Sequence, residues 1–315
     1  MHSKDTYEVG ATSHQGFVPE IETGLLATTA SISPKFLYDP LGSNLFAAIT
    51  LLPEYYPTKT EKDILFEYKD QIASAVGVGG TLIDLGAGNC QKAESLFNAL
   101  KPADYIAIDF STEFLHEAIK NLQAQYPHIH MQAIGMDFSQ ELVIPKAVNT
   151  SQRTFFYPGS SIGNFVGSQA LKLLSQIKEQ ALGGGLLMGV DLMKEDPVLM
   201  AAYDDPLKLT AAFNLNILRS VNAHLGCDFK VDQFRHVVKI NHALNRVELY
   251  LEALEDLTVS WSGNSRTFKR GELIHTEYSH KYTIASIQEL LKNAGFTTSQ
   301  IWTDPKNYFA VIYAR

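Results

Sequence analysis

At 315 residues, the chain is longer than one typical domain and fits a large α/β domain that carries an insertion. Its net charge is −8, and without a basic run it lacks the electrostatic footprint of a nucleic-acid-binding protein. No apolar run is long enough to span a bilayer, the polar N-terminus lacks a signal-peptide core, and two cysteines are too few for a disulfide framework or a zinc site. We therefore expect a cytoplasmic, monomeric enzyme that acts on a small molecule, without metal, membrane or nucleic acid.

The first 60 residues are predicted to be irregular at their start and helical later. Residues 1 to about 20 show no clear pattern, and a helix is expected to start at Ile21. A turn at 33–40 and an amphipathic helix at 43–49 follow. A proline-bounded loop with paired tyrosines then leads into a helix capped at Thr58 or Thr60 that runs to about Val76. Tyrosines in such a loop more often pack than bind a ligand.

The stretch from Thr81 to Lys92 reads as a strand, a glycine turn and a helix. Glycine lets the backbone pass close to a ligand, and Gly86 and Gly88 give the turn that freedom. Asp84, just before the turn, suits a ligand with positive charge, such as S-adenosylmethionine with its sulfonium and ammonium. Gln91 stands where the dinucleotide fingerprint requires its third glycine. The D-x-G-x-G segment resembles motif I of the class I methyltransferases, although an ordinary strand-to-helix turn has the same local pattern.

Two further strand ends carry acids. Asp109 ends an apolar strand about twenty residues after the glycines, where carboxylates grip ribose hydroxyls in methyltransferases and in nicotinamide enzymes. Asp137 and Phe138 follow the next strand and fit an adenine site, with the carboxylate on the exocyclic amine and the ring against the base. Asp137 alone would also fit a loop cap.

Strand and helix signals alternate from residue 80 to about 191, which predicts parallel strands with right-handed crossovers. The strands are expected at 81–85, 105–109, 130–135, 153–157 and 185–191, and the helices at 90–100, 112–125, 139–142 and 168–181. Ligands of such sheets bind beyond the carboxyl ends of the strands, where all three acids lie. The fourth strand runs into a glycine-rich turn with Asn164, whose amide either faces the methyl acceptor or caps the next helix.

The pattern changes after residue 191. A helix at 209–223 and β-type segments at 234–240, 245–251 and 257–259 predict a mixed subdomain. An alternating strand at 272–282 would place Thr276, Tyr278 and His280 on one face and Glu277 and Ser279 on the other. A helix at 284–293 and an antiparallel pair at 296–303 and 307–313 end the chain as class I methyltransferases end. The predicted organisation is an N-terminal segment (1–60) that contributes to the substrate pocket, a Rossmann-like methyltransferase core (61–192 and 280–315), and an inserted α+β substrate-binding lid subdomain (193–279).

Several segments together resemble the histidine-specific Nα-methyltransferases, which form hercynine for ergothioneine biosynthesis. The segments that carry this resemblance are Leu52-Pro-Glu-Tyr-Tyr-Pro-Thr58, Gly159-Ser-Ser-Ile-Gly-Asn164, Tyr203-Asp-Asp, Thr210-Ala-Ala-Phe-Asn214, Thr276-Glu-Tyr-Ser-His-Lys281 and Trp302-Thr-Asp-Pro305. The resemblance as a whole covers the chain from about Leu25 to its end.

The resemblance implies roles for individual residues. Those expected to hold S-adenosylmethionine, and then its product S-adenosylhomocysteine, are Gly86, Lys92, Asp109, Asp137 and Phe138, to which the motif adds Asp84 and Gly88. Tyr55, Asn164 and Tyr203 would hold the amine and carboxylate of histidine. Glu277 and Ser279 would hold its imidazole, with Tyr38 and Phe46 as aromatic walls. Asn164 and Tyr203 are the catalytic candidates, Tyr203 or a water relay being the proton acceptor.

One position departs from the family, because Leu249 stands where it often has a methionine beside the imidazole. The swap is close to isosteric and should preserve specificity. Three alternatives stay open at this point. They are a related enzyme that methylates a tryptophan-like amino acid, a nicotinamide-dependent oxidoreductase, and a binding protein without catalysis on the same fold.

Overall fold

The computed structural model describes residues 6–8, 14–110, 112–145, 148 and 152–315. The strands are β1 (Thr6–Glu8), β2 (Thr81–Leu85), β3 (Asp104–Asp109), β4 (His130–Gly135), β5 (Arg153–Tyr157), β6 (Gly185–Asp191), β7 (Phe234–Asn241), β8 (Arg246–Ala253), β9 (Leu257–Trp261), β10 (Asn264–Phe268), β11 (Leu273–His280), β12 (Ser299–Thr303) and β13 (Phe309–Ala314). The α-helices are α1 (His14–Leu26), α2 (Pro40–Ile49), α3 (Tyr56–Glu67), α4 (Lys69–Val76), α5 (Gln91–Leu100), α6 (Thr112–Gln125), α7 (Gly167–Gln180), α8 (Asp196–Tyr203), α9 (Leu209–Leu225) and α10 (Ile284–Asn293). Short 3₁₀ helices span Pro34–Leu37, Ser161–Asn164 and Val231–Gln233.

The described residues divide into two compact units. The first takes its residues from 1–11, 57–192 and 282–315, and the second from 12–56 and 193–281. Among the described residues, no helix is both long and apolar enough to cross a lipid bilayer.

An eight-stranded sheet organises the first unit, in the order β1-β4-β3-β2-β5-β6-β13-β12. The strands from β1 to β6 pair in parallel, whereas β13 runs antiparallel to both β6 and β12. Because β2 lies centrally and continues directly into the glycine turn, the turn sits at the carboxyl edge of the sheet, between the ends of β3 and β5. The predicted class I methyltransferase core with its final antiparallel pair is confirmed, and β1 is an addition that the sequence did not indicate.

Alternation along the strands gives this sheet an apolar layer on each face. On one face, Ile83 and Leu85 join a cluster that includes Leu174 of α7 and Ile287 of α10. On the other, Leu82 joins residues of α4, α5 and α6, such as Ile72, Leu96 and Leu122. Both faces are therefore covered by helices, as a mainly parallel sheet requires.

The five parallel strands from 81 to 191 were predicted within one residue, but three helix predictions in the first half of the chain were wrong. No helix forms at 139–142, because the Asp137 carboxylate accepts from the backbone N–H of Ser139 and turns the chain. The helix predicted up to Val76 is broken at Tyr68, where φ is −101° and ψ is 12°. The helix expected to start at Ile21 begins at His14, and the rest of the segment predicted as irregular, 1–5 and 9–13, lies outside the described residues.

The second unit combines helices with small antiparallel sheets. β7, β8 and β11 form a sheet in the order β11-β8-β7, and β9 pairs with β10. An apolar core joins α1 and α9 to these strands, with Ile21, Ile217, Leu251 and Ile274 fully buried. Neither α8 nor β10 was predicted, because α8 has only eight residues between polar, turn-forming flanks, and β10 has five residues that are mostly polar.

A bulge in β11 corrects the predicted strand faces. His275 pairs with Tyr250, yet Glu277 pairs with the very next residue of β8, Leu249, so Thr276 is the extra residue. Its hydroxyl donates to the Leu249 carbonyl at 3.1 Å. Tyr278 and His280 therefore share their face with His275 rather than with Thr276, and Glu277 and Ser279 lie on the buried face.

Candidate active site

The glycine turn forms an open cradle at the end of β2. The Ile108 carbonyl accepts from the backbone N–H groups of Gly86 (2.9 Å) and Ala87 (3.1 Å), which fixes the turn to β3. Gly86 has φ of 71° and Gly88 has φ of 52°, a region that favours glycine. A Cβ at Gly88 would meet no atom within 4 Å, and one at Gly86 would meet only the Phe138 ring at 4.0 Å. The space beside both glycines is thus left clear for a ligand.

The acid at the end of β3 is fastened to this cradle. One carboxylate oxygen of Asp109 accepts from the Gly88 N–H at 2.9 Å, so the side chain lies beside the turn. Phe138 approaches Gly86 and contacts Tyr157 edge to face, with ring centroids 6.0 Å apart. Asp137, one residue earlier, accepts from the Ser139 backbone and hydroxyl. The structure therefore brings Gly86, Gly88, Asp109 and Phe138 together, and the carboxylates offer acceptors for the hydroxyls and amine of a nucleoside.

Asp84 lies beneath the turn rather than on its open side. It is 2% exposed, and one carboxylate oxygen accepts from the Tyr105 hydroxyl at 2.8 Å. Burial raises the pKa of Asp84 to about 7, against the opposing effect of the Tyr105 hydrogen bond. Its other oxygen is buried without a hydrogen-bond partner among the described residues. A buried acceptor of this kind, beneath an open turn, fits a site that a polar or cationic ligand completes.

Lys92 is held by a carboxylate that the sequence analysis overlooked. Glu61 of α3 is 1% exposed; one of its oxygens accepts from the Lys92 ammonium at 2.6 Å and the other from the Gly159 N–H at 2.7 Å. A Cβ at Gly189 would lie 1.9 Å from the same carboxylate, so glycine is required there. Glu61 thereby ties α3, the start of α5 and the turn after β5 together.

Asn164 ends the 3₁₀ helix that follows this turn. The N-cap of α7 is Val166, so Asn164 is not a capping residue, which removes one of its two readings. It is half-buried, and it forms no side-chain hydrogen bond with the residues that the structure describes. The 3₁₀ helix is anchored through Ser160, whose hydroxyl accepts from the Asp191 N–H at 2.9 Å.

In the second unit, Tyr203 and Ser279 meet around a buried lysine. Their hydroxyl oxygens are 2.7 Å apart, and Lys281 donates to Tyr203 at 2.7 Å and to Ser279 at 2.6 Å. Lys281 is 3% exposed, and its ammonium also lies 4.7 Å from the centroid of the Tyr203 ring. The backbone carbonyl of Tyr203 accepts from Nε2 of His236 at 2.9 Å, which fixes the end of α8 against β7.

The aromatic candidates form one continuous series of ring contacts. Tyr38 contacts Phe46 (5.6 Å between centroids), Phe46 contacts Tyr55 (6.0 Å), and Tyr55 contacts Tyr203 (6.4 Å). Phe213 of α9 packs against both Tyr38 and Phe46, at 5.5 and 5.7 Å. The fold therefore brings the rings from Tyr38 to Tyr203 together, although these two residues are 165 positions apart in the chain.

Glu277 lies on the buried face of β11 with 9% of its surface exposed. Its strand partner is Leu249, which packs with Tyr203 and Val247 in a small apolar cluster. The position at which the sequence departs from the family is thus next to Glu277, in an apolar environment that a leucine fills.

Glu61, Lys281, Phe213 and His236 were missed as site residues because their importance depends on tertiary contacts. Lys281 and Phe213 stood in segments that had already been singled out, yet nothing in the sequence showed that they contact Tyr203 or Tyr38. Glu61 lies three residues after the L-P-E-Y-Y-P-T segment, in a predicted helix, and a charged residue in a helix usually faces solvent.

Comparison with known proteins gives a consistent result. A sequence profile of a family described as histidine-specific, SAM-dependent methyltransferases matches residues 17–315. The histidine N-alpha-methyltransferase of Mycolicibacterium smegmatis is 36% identical over 302 residues, covering 94% of this chain and 93% of that protein. The protein of the same name from Mycobacterium tuberculosis is 35% identical, with 96% and 95% covered. The 4-dimethylallyltryptophan N-methyltransferase easF of Claviceps fusiformis is 24% identical, with 90% and 88% covered.

Proposed function

The chain belongs to the family of histidine-specific, S-adenosylmethionine-dependent methyltransferases, and from this premise we propose that it trimethylates the α-amino nitrogen of free L-histidine. The product would be hercynine, and the reaction would belong to ergothioneine biosynthesis. Two relatives of 35–36% identity are named for the Nα position, and one of 29% identity from Schizosaccharomyces pombe is named ergothioneine biosynthesis protein 1.

The first unit supplies the residues proposed to hold the methyl donor. S-adenosylmethionine, when bound, supplies an electrophilic methyl group on its sulfonium. Gly86 and Gly88 would admit it to the cradle, Asp109 would bind its ribose, and Asp137 with Phe138 would bind its adenine. Lys92, held by Glu61, would bind its carboxylate, and the Asp84 carboxylate, buried beneath the turn, would favour its positive charge. The open cradle and the unpaired Asp84 oxygen support this assignment.

The second unit supplies most residues proposed to hold histidine. Glu277 would accept from the imidazole, the Ser279 hydroxyl would donate to it or accept from it, and Tyr38, Phe46 and Tyr55 would flank the substrate. Tyr203 and Asn164 would hold its amine and carboxylate. One observation gives the proposal its strongest support. Ser279 is hydrogen-bonded to Tyr203, so the hydroxyl assigned to the imidazole lies next to the hydroxyl assigned to the amine and carboxylate.

Methyl transfer from a sulfonium to a nitrogen disperses charge rather than creating it, so positioning supplies most of the catalysis. The amine attacks only when it is neutral, and one proton must leave the nitrogen for each methyl group added. Asn164 can accept from the amine through its carbonyl oxygen and keep the lone pair aimed. Tyr203, or a water bound to it, would pass the released proton to solvent.

The direct test is to incubate the purified protein with S-adenosylmethionine and histidine and to follow the products by mass spectrometry. Hercynine should accumulate, and tryptophan in place of histidine should give little product. Absence of any methylated histidine would overturn the proposal. Calorimetry with S-adenosylhomocysteine and NAD adds a check on the cofactor, since only the former should bind.

A tryptophan-like acceptor is the second candidate, because one relative is named for such a substrate. Glu277 disfavours it, since an imidazole can take up a second ring proton and become a cation, whereas an indole stays neutral and leaves a buried carboxylate less well paired. Family membership argues against the nicotinamide-dependent reading and the binding protein without catalysis. Monomeric state and cytoplasmic location stay predictions, the first of which light scattering on the purified protein would check.

A further inference from the structure

Lys281 is a buried cation at the centre of the residues proposed to bind histidine, yet neither the sequence nor the family resemblance gave it a role. A lysine is rarely buried unless its ammonium is hydrogen-bonded, because desolvating the charge is costly. Here the ammonium donates to Tyr203 and to Ser279 within 2.7 Å, and both acceptors are themselves proposed substrate residues. The positive charge of Lys281 therefore lies directly next to two side chains that are proposed to contact the substrate.

The direction of these hydrogen bonds follows from the chemistry of the groups. An ammonium only donates, so the oxygens of Tyr203 and Ser279 both act as acceptors toward Lys281. The contact between the two hydroxyls uses one of their two hydrogens. When Ser279 donates to Tyr203, the Tyr203 hydroxyl keeps its own hydrogen for a donation to another group.

The backbone orders the charges along β11. Glu277 and Ser279 share the buried face of the strand, and the Lys281 N–H continues the pairing by donating to the Asn245 carbonyl at 2.7 Å. Residues two apart in a strand are about 7 Å apart on one face. An acid, a hydroxyl and a cation thus follow one another, which matches a substrate with N–H groups at one end and a carboxylate at the other.

We propose that Lys281 is a positioning residue that supplies the positive charge for the α-carboxylate of histidine, acting through the Tyr203 hydroxyl. The inference rests on the proposed function and adds a selectivity to it. An amine that has the imidazole but no carboxylate, such as histamine, gains nothing from this charge. Lys281 therefore makes the site select amino acids over the corresponding amines.

The test compares the affinities of histidine and histamine in the presence of S-adenosylhomocysteine, by calorimetry for histidine and by competition for histamine. In K281M, the Kd of histidine should rise by about 10- to 100-fold, the value of one hydrogen bond assisted by charge, while the Kd of histamine changes little. K281R, which keeps the charge, should retain part of the preference. Y203F should lose the same preference, and combining it with K281M should add little further loss.

K239M is the matched control, because Lys239 is an exposed lysine of the same unit whose ammonium also lies over a tyrosine ring, 5.2 Å from Tyr250. It should leave both affinities unchanged. An unchanged preference in K281M and Y203F, or an equal loss for both ligands, would overturn the role of Lys281. A wild-type protein that neither binds nor methylates histidine would overturn the proposed function instead, so the two failures are distinguishable.

Discussion

The two units build their candidate sites in different ways. In the first, backbone turns at strand ends create the cradle, and its residues from Gly86 to Phe138 lie within one stretch of alternating strands and helices. In the second, the candidates are side chains that helices and strands bring together from positions 38 to 281. Sites built on the backbone are recognisable from local sequence, whereas sites built from scattered side chains need the fold.

The pKa values of buried titratable groups are shifted in opposite directions in the two units. Burial raises the pKa of Asp84 to about 7 in the first unit. In the second unit, burial lowers the pKa of His236 and lowers that of His275 to about 4. Both effects favour the neutral form, which for an acid is the protonated group and for a histidine the unprotonated one.

The largest effect is expected from replacing Glu277 by Ala. The variant loses one hydrogen bond assisted by charge and leaves an imidazole N–H unpaired, which together cost about 4 kcal/mol, or about 10³-fold in kcat/KM for histidine. S-adenosylhomocysteine should bind as in the wild type, because Glu277 is not among the residues proposed to hold the cofactor. Turnover of tryptophan should fall less than that of histidine. An equal loss for both substrates would show that Glu277 does not read the imidazole.

Replacing Gly88 by Ala should weaken S-adenosylhomocysteine binding by about 2–3 kcal/mol, because the new methyl group enters the cradle. Gly79→Ala is the matched control, since Gly79 also has positive φ (79°) and open space around its Cβ but lies before β2, at the opposite end of the strand. Both variants should lose about 1 kcal/mol of stability to backbone strain. Calorimetry and urea unfolding separate the two effects. Equal affinities in G88A and G79A would mean that the turn is not the cradle.

The sequence predicted the first unit well because its signals are local. Apolar runs set the strands, and Gly86, Asp109 and Asp137 mark their ends, so the order of elements follows from known chain geometry. The wrong helix at 139–142 arose where the Asp137 side chain competes with the backbone for a hydrogen bond, which periodicity does not register.

The second unit was predicted less well for a related reason. The bulge at Thr276 changes which residues share a face of β11, and alternation alone cannot locate an inserted residue. Lys281 follows the end of a strand, where a lysine usually faces solvent, and only tertiary packing buries it against Tyr203. The roles of Tyr55, Tyr203 and Glu277 came from the family resemblance, because no spacing rule connects them.

Replacing Glu61 by Gln tests whether side chains also support the cradle of the first unit. Glutamine keeps an acceptor for the Gly159 N–H but removes the charge that faces Lys92, so we expect a loss of about 2 kcal/mol in the free energy of unfolding. Asp63→Asn in the same helix is the control. Its ion pair with Lys59 is exposed and should contribute under about 1 kcal/mol. Urea unfolding measures both, and similar losses would argue against Glu61 as an organising residue.

A further difference between the two units is the opposite pH dependence of two buried groups. The folded-state pKa of His275, about 4, lies below its ordinary value of 6.5, so the folded state resists its protonation and stability falls as the pH drops below 6.5. For Asp84, whose pKa is raised from 3.8 to about 7, stability falls as the pH rises through that interval.

Relative to the wild type, H275Q should therefore gain about 1 kcal/mol between pH 6.5 and 5.5, whereas D84N should gain as the pH rises from 5 to 7. Asparagine keeps an acceptor for the Tyr105 hydroxyl, so its gain reports the charge rather than the hydrogen bond. Urea unfolding across this range checks both signs, and parallel curves for wild type and variants would show that neither group is held neutral by burial.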